Sequence, residues 1–435
     1  TLADSWGCEW AEGSGQFHVD FPADLGPELE AFAVSSLKSA ALSFPIDTGL
    51  GWDKWHPRVL LLLPDFLLVA IVRLLVCIER CGSWPELIGG ILVVLIPKSD
   101  GGRRPIGLAP GLVRLWMRAR LPIAQAWQSA NERGALFAGP RKGAIPAAWR
   151  QAIRAEAAAA IPGADYAAIL LDLVKAFDRV PFHVLVAHAI LLGFPLWLLR
   201  LSLHAYTLPR ILVVDGAASR LVWATRGIVA GGIFATVELR VVFIPFIDAV
   251  YKLKLYVDIS VYVDDTTFES SGSRRFILAN LIPAARCFTD LMRLAGFEFS
   301  KKKGVALAST PSLAEAVASE LPALSLHPHT HAPSLGSGLG AGTTRNAAVV
   351  RQRLSAFRLR IPSFRRMRQC RINTAIVLRT GGIKALTYGA EITGVSSSTL
   401  LSQRRSVSAT LVPGGTGHLD LSLCLLYTSD AADEE

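Results

Sequence analysis

The sequence predicts a mixed α/β fold of two or three lobes, in which an antiparallel sheet carries acidic side chains at its strand ends. Three observations predict it. Apolar runs of strand length, Ile91-Leu92-Val93-Val94-Leu95-Ile96 and Ala167-Ala168-Ile169-Leu170-Leu171, alternate with longer stretches of helical period. The β-prone segment Val261-Tyr262-Val263-Asp264-Asp265-Thr266-Thr267-Phe268 places two adjacent carboxylates at the turn of an alternating run. Finally, a chain of 435 residues exceeds what one hydrophobic core holds, about 250 to 300 residues.

Composition narrows the partners. The formal charge of +10 comes largely from arginine and suits a polyanion, either nucleic acid or an acidic membrane surface. The six cysteines, Cys8, Cys77, Cys81, Cys287, Cys370 and Cys424, have no paired spacing, which argues against a disulfide framework or a zinc knuckle. Val59 to Ile78 is apolar enough to raise a membrane span, but Pro64, Asp65 and Arg73 interrupt it. Leu67, Leu68, Ile71, Leu74, Leu75 and Ile78 fall on one helical face, so a buried amphipathic helix is expected and no membrane partner. No secretory signal opens the chain, and the first residue, Thr1, reads as the start of a fragment.

In order along the chain, residues 1–50 show no strong periodicity and stay unassigned. Ile91 to Ile96 reads as a buried strand, followed by a basic turn and a second strand through Arg104-Pro105-Ile106. Helices are expected from Val113 to Gln128 and through the alanine-rich Ala147 to Ala160. The strand ending at Leu171 delivers Asp172, and a helical region runs from Phe182 to about Tyr206. A strand pair near 210–214 and 222–225 precedes the glycine-rich Arg226-Gly227-Ile228-Val229-Ala230-Gly231-Gly232, then a helix from Ile233 to Tyr251. The Tyr262 hairpin, a helix from Arg274 to Ala295 and the basic Ser300-Lys301-Lys302-Lys303 follow. Residues 309–345, rich in Ser, Pro, Gly, Ala and Leu, read as a flexible linker, with His327, His329 and His331 as incidental polar residues rather than a metal site. Beyond it, Arg351, Arg353, Arg358, Arg365, Arg366 and Arg368 crowd one helical region with apolar backing, a surface suited to tracking phosphates. The tail from 413 to 435 reads as non-native read-through sequence.

Adjacent acids on a hairpin are either a turn or a metal site, because Asp favours turns by bonding its own backbone. A third acid decides between them. Asp172 can join Asp264 and Asp265 if its strand lies beside the hairpin, and hard divalent ions want carboxylate oxygens of this kind. Phosphoryl transfer to a hydroxyl uses two such ions roughly 4 Å apart.

With these blocks the chain resembles a reverse transcriptase of the non-LTR retrotransposon type. The matching stretches are Leu95-Ile96-Pro97-Lys98 with Arg104-Pro105-Ile106, Leu171-Asp172-Leu173-Val174-Lys175-Ala176-Phe177-Asp178 (motif A) and Gly227 to Thr236 (motif B). Tyr262-Val263-Asp264-Asp265 matches motif C and Ser300 to Gly304 motif D, all within about residues 84 to 305. The resemblance implies a right-hand polymerase: fingers over 51–165, an antiparallel palm over 166–308 and an arginine-rich helical thumb over 346–412. It implies Asp172, Asp264 and Asp265 as ligands of Mg2+, or of Mn2+, and Lys303 as a proton donor to the leaving pyrophosphate. Lys98 and Arg104 would meet the incoming triphosphate, Gly231 would lie at the nucleotide, and Phe177 would exclude a ribose 2′-hydroxyl. The implied partners are an RNA template, a DNA primer or target DNA, and dNTPs. A nuclear location is expected if the element is eukaryotic. One departure is plain: Val229-Ala230-Gly231 stands where the family commonly has Pro-Gln-Gly. Two alternatives stay open, an RNA-dependent RNA polymerase, in which Asp178 would be a second motif A acid, and a decayed palm that only binds nucleic acid.

Overall fold

The computed structural model describes residues 1–14, 18–98, 101–139 and 142–411, so the tail read as non-native lies outside the described residues. In chain order the elements are α1 (Leu2–Glu9), α2 (Val34–Leu42), α3 (Asp65–Cys81), β1 (Ile91–Pro97), β2 (Arg103–Leu108), α4 (Gly111–Ala130), α5 (Ala144–Ala159), β3 (Asp165–Leu171), α6 (Phe182–Leu191), α7 (Leu196–Tyr206), β4 (Arg210–Val214) and β5 (Ala217–Val222). There follow α8 (Ala235–Lys252), β6 (Asp258–Tyr262), β7 (Asp265–Gly272), α9 (Arg274–Leu294), β8 (Val305–Ala308), α10 (Pro311–Glu320), β9 (His327–His329), β10 (His331–Ser334), β11 (Ser337–Gly340), α11 (Ala348–Gln369), α12 (Thr374–Val377), α13 (Ile383–Thr387), α14 (Ala390–Thr393) and α15 (Ser397–Leu411). The mixed α/β class and the antiparallel character of the sheets are those expected from the sequence. The chain gathers into two compact units, each discontinuous in sequence.

The first unit comprises residues 1–136, 173–254 and 286–299. Its sheet runs β2-β1-β4-β5, with β1 antiparallel to β2 and parallel to β4. The expectation that β1 is buried throughout is corrected: Ile91, Val93 and Leu95 are buried while Val94 and Ile96 reach solvent, so the strand is covered on one face only. The amphipathic reading of the 59–78 stretch holds for α3 only in part: Leu68, Leu75 and Ile78 are buried but Leu67 and Leu74 of the expected face are exposed, and the helix stops at Gly82 in the left-handed conformation that glycine adopts without penalty. Its last turn also buries Glu79, which the Arg120 guanidinium of α4 grips through both carboxylate oxygens at 2.6 Å. The Trp116 indole donates to the same carboxylate. Among the described residues no helix is long and apolar enough to cross a membrane.

The second unit comprises residues 137–172, 255–285 and 300–435. Its sheet has the order β6-β7-β3-β8-β9 and is antiparallel except where β9 joins β8. The central strand β3 is buried over Tyr166, Ala167, Ala168 and Ile169, as a strand covered on both faces must be. Alanines explain how a helix comes so near it: Ala155 and Ala158 of α5 pack on Tyr166 and Ala168 in one core with Leu307, Leu339 and Ala341. The expected linker over 309–345 is therefore corrected. It folds as α10, a fifth sheet strand and the β10-β11 hairpin, because its Ala332, Leu339 and Ala341 are part of this core. A separate apolar cluster of Leu354, Phe357, Phe364, Leu378, Leu386 and Val407 holds the C-terminal helices together.

Candidate active site

Strand register decides the geometry of the acids. β3 and β7 pair antiparallel from Asp165 with Gly272 to Leu171 with Thr266, so the next residues, Asp172 and Asp265, stand opposite each other at the sheet end. Directly opposed residues share a face with Cβ atoms about 4.5 to 5.5 Å apart. β6 and β7 close through Tyr262 opposite Asp265, leaving Val263 and Asp264 as a two-residue hairpin turn. Turns of that length need a positive φ, which glycine or asparagine supplies in ordinary hairpins. Here Val263 supplies it, at φ +61, a conformation costing a β-branched residue about 1 to 3 kcal/mol. The hairpin that displays Asp264 is therefore strained.

Lys303 completes the group. The Ser300 amide donates to the Asp172 carbonyl at 2.8 Å, fixing the turn that follows. From that turn the Lys303 ammonium reaches both carboxylate oxygens of Asp172, at 3.2 and 3.1 Å. A cleft of about 360 Å³ opens here, lined by Asp172, Asp265, Thr267, Lys302, Lys303 and Ser334. Asp265 is exposed at its edge, yet enough water is displaced around its carboxyl to push it up to about 6; burial is the first cause, and the Asp264 and Asp172 charges add to it against Lys303.

Whether these residues suit a divalent ion is a question of donors. All three acids offer hard carboxylate oxygens, and the raised Asp265 marks an excess of negative charge that a cation would relieve. The expected three-ligand cluster is not drawn together, however. Among the described residues no three His, Cys, Asp or Glu side chains are gathered closely enough to hold a metal ion, and Asp172 is paired with Lys303 instead. The alternating histidines likewise form no metal group among the described residues. His327 and His331 contact the Lys301 and Thr344 carbonyls.

The residues expected at the nucleotide all belong to the first unit. Lys98 is exposed at the tip of the β1-β2 hairpin, and Arg104 is exposed on β2 opposite Ile96. Phe177, half-buried, opens a single 3-10 turn over Phe177–Arg179, and its carbonyl accepts the Ile228 amide at 2.9 Å. Gly231 has φ +91, as glycine permits. The stricter glycine is Gly227: its φ is +90, and a Cβ there would collide with the Asp178 carbonyl.

The arginine surface needs correction. Arg351, Arg365 and Arg366 of α11 are exposed, as a phosphate-tracking face requires. Arg353 is not free for that role: it donates to the Gly336 and Ala385 carbonyls at 2.6 and 3.1 Å and lies 4.9 Å over the Tyr388 ring. Arg358 reaches the Ser406 hydroxyl at 3.3 Å, and Arg368 is half-buried. Arg353 and Arg358 thus tie α11 to the β10-β11 turn, α13 and α15.

Comparisons with known proteins leave the family open. No family model matches the chain, and no curated protein matches it. Among solved structures, it is similar to apo telomerase from Candida tropicalis truncated from its C-terminal domain, with a TM-score of 0.41 and 12% identity over 60% of this chain. The chain spans 55% of that telomerase's length. It is also similar to telomerase from Candida albicans in complex with a fragment of telomeric RNA, with a TM-score of 0.41 and 10% identity over 80% of this chain and 68% of the other.

Sequence reasoning missed a group at the N-terminus. Trp10 is buried, its indole donating to Asp178 at 2.8 Å, and Glu9 accepts from Lys175 and Arg179 at 3.0 and 2.9 Å. An eight-residue helix is too short to declare a period, but two tryptophans within five residues, Trp6 and Trp10, were a signal of burial.

Proposed function

We propose that this chain is an RNA-directed DNA polymerase of the non-LTR retroelement type, extending a primer with dNTPs. One observation carries the reading: the β3-β7 register sets Asp172 against Asp265, with Asp264 in the adjoining turn and Lys303 beside them. Drawn closer together than they lie here, with Asp172 released from Lys303, Asp172, Asp264 and Asp265 would hold Mg2+ or Mn2+, which when bound would supply Lewis-acid activation of the primer hydroxyl and neutralise charge on the leaving pyrophosphate. The chain's own residues do the rest. Lys303 carries a proton close to the acids and delivers it to the pyrophosphate oxygen. Lys98 and Arg104, both exposed, bind the triphosphate as charges. Phe177 packs where a 2′-hydroxyl would otherwise sit. Arg351, Arg365 and Arg366 grip the template-primer backbone. Asp178 is unsuited to the second motif A acid of an RNA polymerase, being buried with its carboxylate bound to the Trp10 indole.

The test is primer extension on an RNA template by the whole chain, with dNTPs and NTPs compared in Mg2+ and in Mn2+. Deoxynucleotide incorporation that disappears in Asp264→Asn and Asp265→Asn, with RNA binding kept, is the expected result. Efficient ribonucleotide incorporation would overturn it in favour of an RNA polymerase. RNA binding without any extension would leave a nucleic-acid-binding scaffold.

A further inference from the structure

Residues 1–13 carry no motif, yet they are fastened to the two segments that bear Phe177 and the Gly227 turn, all within the first unit. Asp178, next to Phe177, is buried, and burial pushes its carboxyl up while the Trp10 indole and the Arg210 and Lys175 charges hold it down. The Arg210 guanidinium, itself 2% exposed, stacks 4.5 Å over the Trp10 ring and donates to the Gly227 carbonyl at 2.9 Å. The Trp10 side chain thus touches one segment directly and the other through a single arginine. On the outer side, Glu9 spans Lys175 and Arg179, the two cations that flank Phe177, while Lys175 lies 4.0 Å over the Trp6 ring. The Arg226 guanidinium donates to the Glu9 carbonyl at 2.8 Å, and the Thr225 amide to the Trp10 carbonyl at 3.1 Å. The two segments in turn bond each other, Ile228 amide to Phe177 carbonyl and Gly227 amide to Val180 carbonyl.

We propose that Trp10 and Glu9 are positioning residues for nucleotide selection: they lock the Phe177–Arg179 turn against the Gly227 turn, so that the Phe177 ring is held rigidly enough to reject a ribose. The proposal rests on the polymerase reading above. A ring that discriminates by one hydroxyl must not yield, and a 3-10 turn of three residues has little rigidity of its own. Here that rigidity comes from a buried charge-assisted hydrogen bond and two ion pairs supplied from more than 160 residues away in sequence.

The test uses the full chain with Trp10→Phe, which keeps a ring under Arg210 and removes the indole donor, and with Glu9→Gln. Two measurements are made on each. Exchange of the Gly227 and Ile228 amides should quicken by about tenfold in Trp10→Phe, the scale of losing a hydrogen bond to a buried charge. In primer extension, KM for the dNTP should rise several-fold with kcat nearly unchanged, and the preference for dNTP over NTP should narrow by about tenfold. Unchanged amide exchange overturns the clamp. Quickened exchange with dNTP and NTP affected in parallel overturns its role in selection. If the starting protein extends no primer, the polymerase reading fails while the exchange measurement still decides the clamp. If Trp10→Phe does not fold, Glu9→Gln, on the half-exposed side, decides by the same two readings.

Discussion

Replacing Asp265 by asparagine should stabilise the cation-free protein, and only above a defined pH. The Asp265 carboxyl, pushed up to about 6 in the fold, is unfavourable there when ionised. Protonated in both folded and unfolded chains below about pH 4, it imposes no penalty; the penalty grows as the pH rises towards 6 and is complete above it. A shift of that size on an enclosed carboxyl corresponds to about 3 kcal/mol. Asp265 is exposed, so solvent screening reduces this to about 1 kcal/mol, or about 2 °C in melting temperature. The assay is thermal unfolding of wild type and Asp265→Asn with EDTA, from pH 3.5 to 7.5. The two should melt together at the acid end, and Asp265→Asn should melt higher at the neutral end. Glu238, raised to about 7 by burial, titrates in both proteins and cancels in the difference. Millimolar Mg2+ at pH 7.5 should then raise the wild type and not the variant, because a ligand stabilises only the fold that binds it. A gap that does not vary with pH, or equal stabilisation of both proteins by Mg2+, would refute the reasoning.

Four further outcomes follow. Val263→Gly removes the strain at φ +61 and should raise stability by up to about 1 kcal/mol in denaturant unfolding, while lowering extension because the Asp264 turn loosens. Glu79→Ala strands the buried Arg120 guanidinium and should cost about 3 to 5 kcal/mol, whereas the paired replacement Glu79→Met with Arg120→Met should recover most of it, as read by urea midpoints. Arg351→Ala with Arg365→Ala should weaken RNA binding and reduce its log-log salt slope by about 1.4 for a single strand, two contacts at about 0.7 each. Arg353→Ala should instead lower the melting temperature with the salt slope unchanged, since its guanidinium is bonded to Gly336 and Ala385.

What could be read from the sequence was whatever announces itself locally. The strand ending in Asp172 and the hairpin bearing Asp264 and Asp265 declared themselves by apolar runs meeting acids, and their pairing followed once both were placed in one antiparallel sheet. Segments whose burial depends on a distant partner were silent. Ala332 and Ala341 carry almost no hydrophobic signal, and their stretch resembled a linker until Ala155 and Ala158 came close enough to cover them. Arginine density could be counted from the sequence, but not direction: Arg353 and Arg351 are two residues apart on one helix, and one is bonded inward while the other faces solvent. Trp10 found its partner 168 residues later, beyond any window in which period or spacing is informative.

The Tyr262–Asp265 hairpin concentrates two costs that folding alone does not account for. A β-branched residue holds a positive φ, and an acid is forced to share its surroundings with two others. Either cost could be removed by one ordinary substitution, glycine at 263 or asparagine at 265, without disturbing the strand pairing on either side. Their coincidence at the sheet end that also carries Asp172 and Lys303 supports the proposed site over an ordinary turn. Relief would come from a cation, which lowers the cost at Asp265 and leaves the strain at Val263. The two therefore respond to different perturbations: Mg2+ should abolish the pH dependence at Asp265, whereas Val263→Gly should relieve the strain with or without the ion.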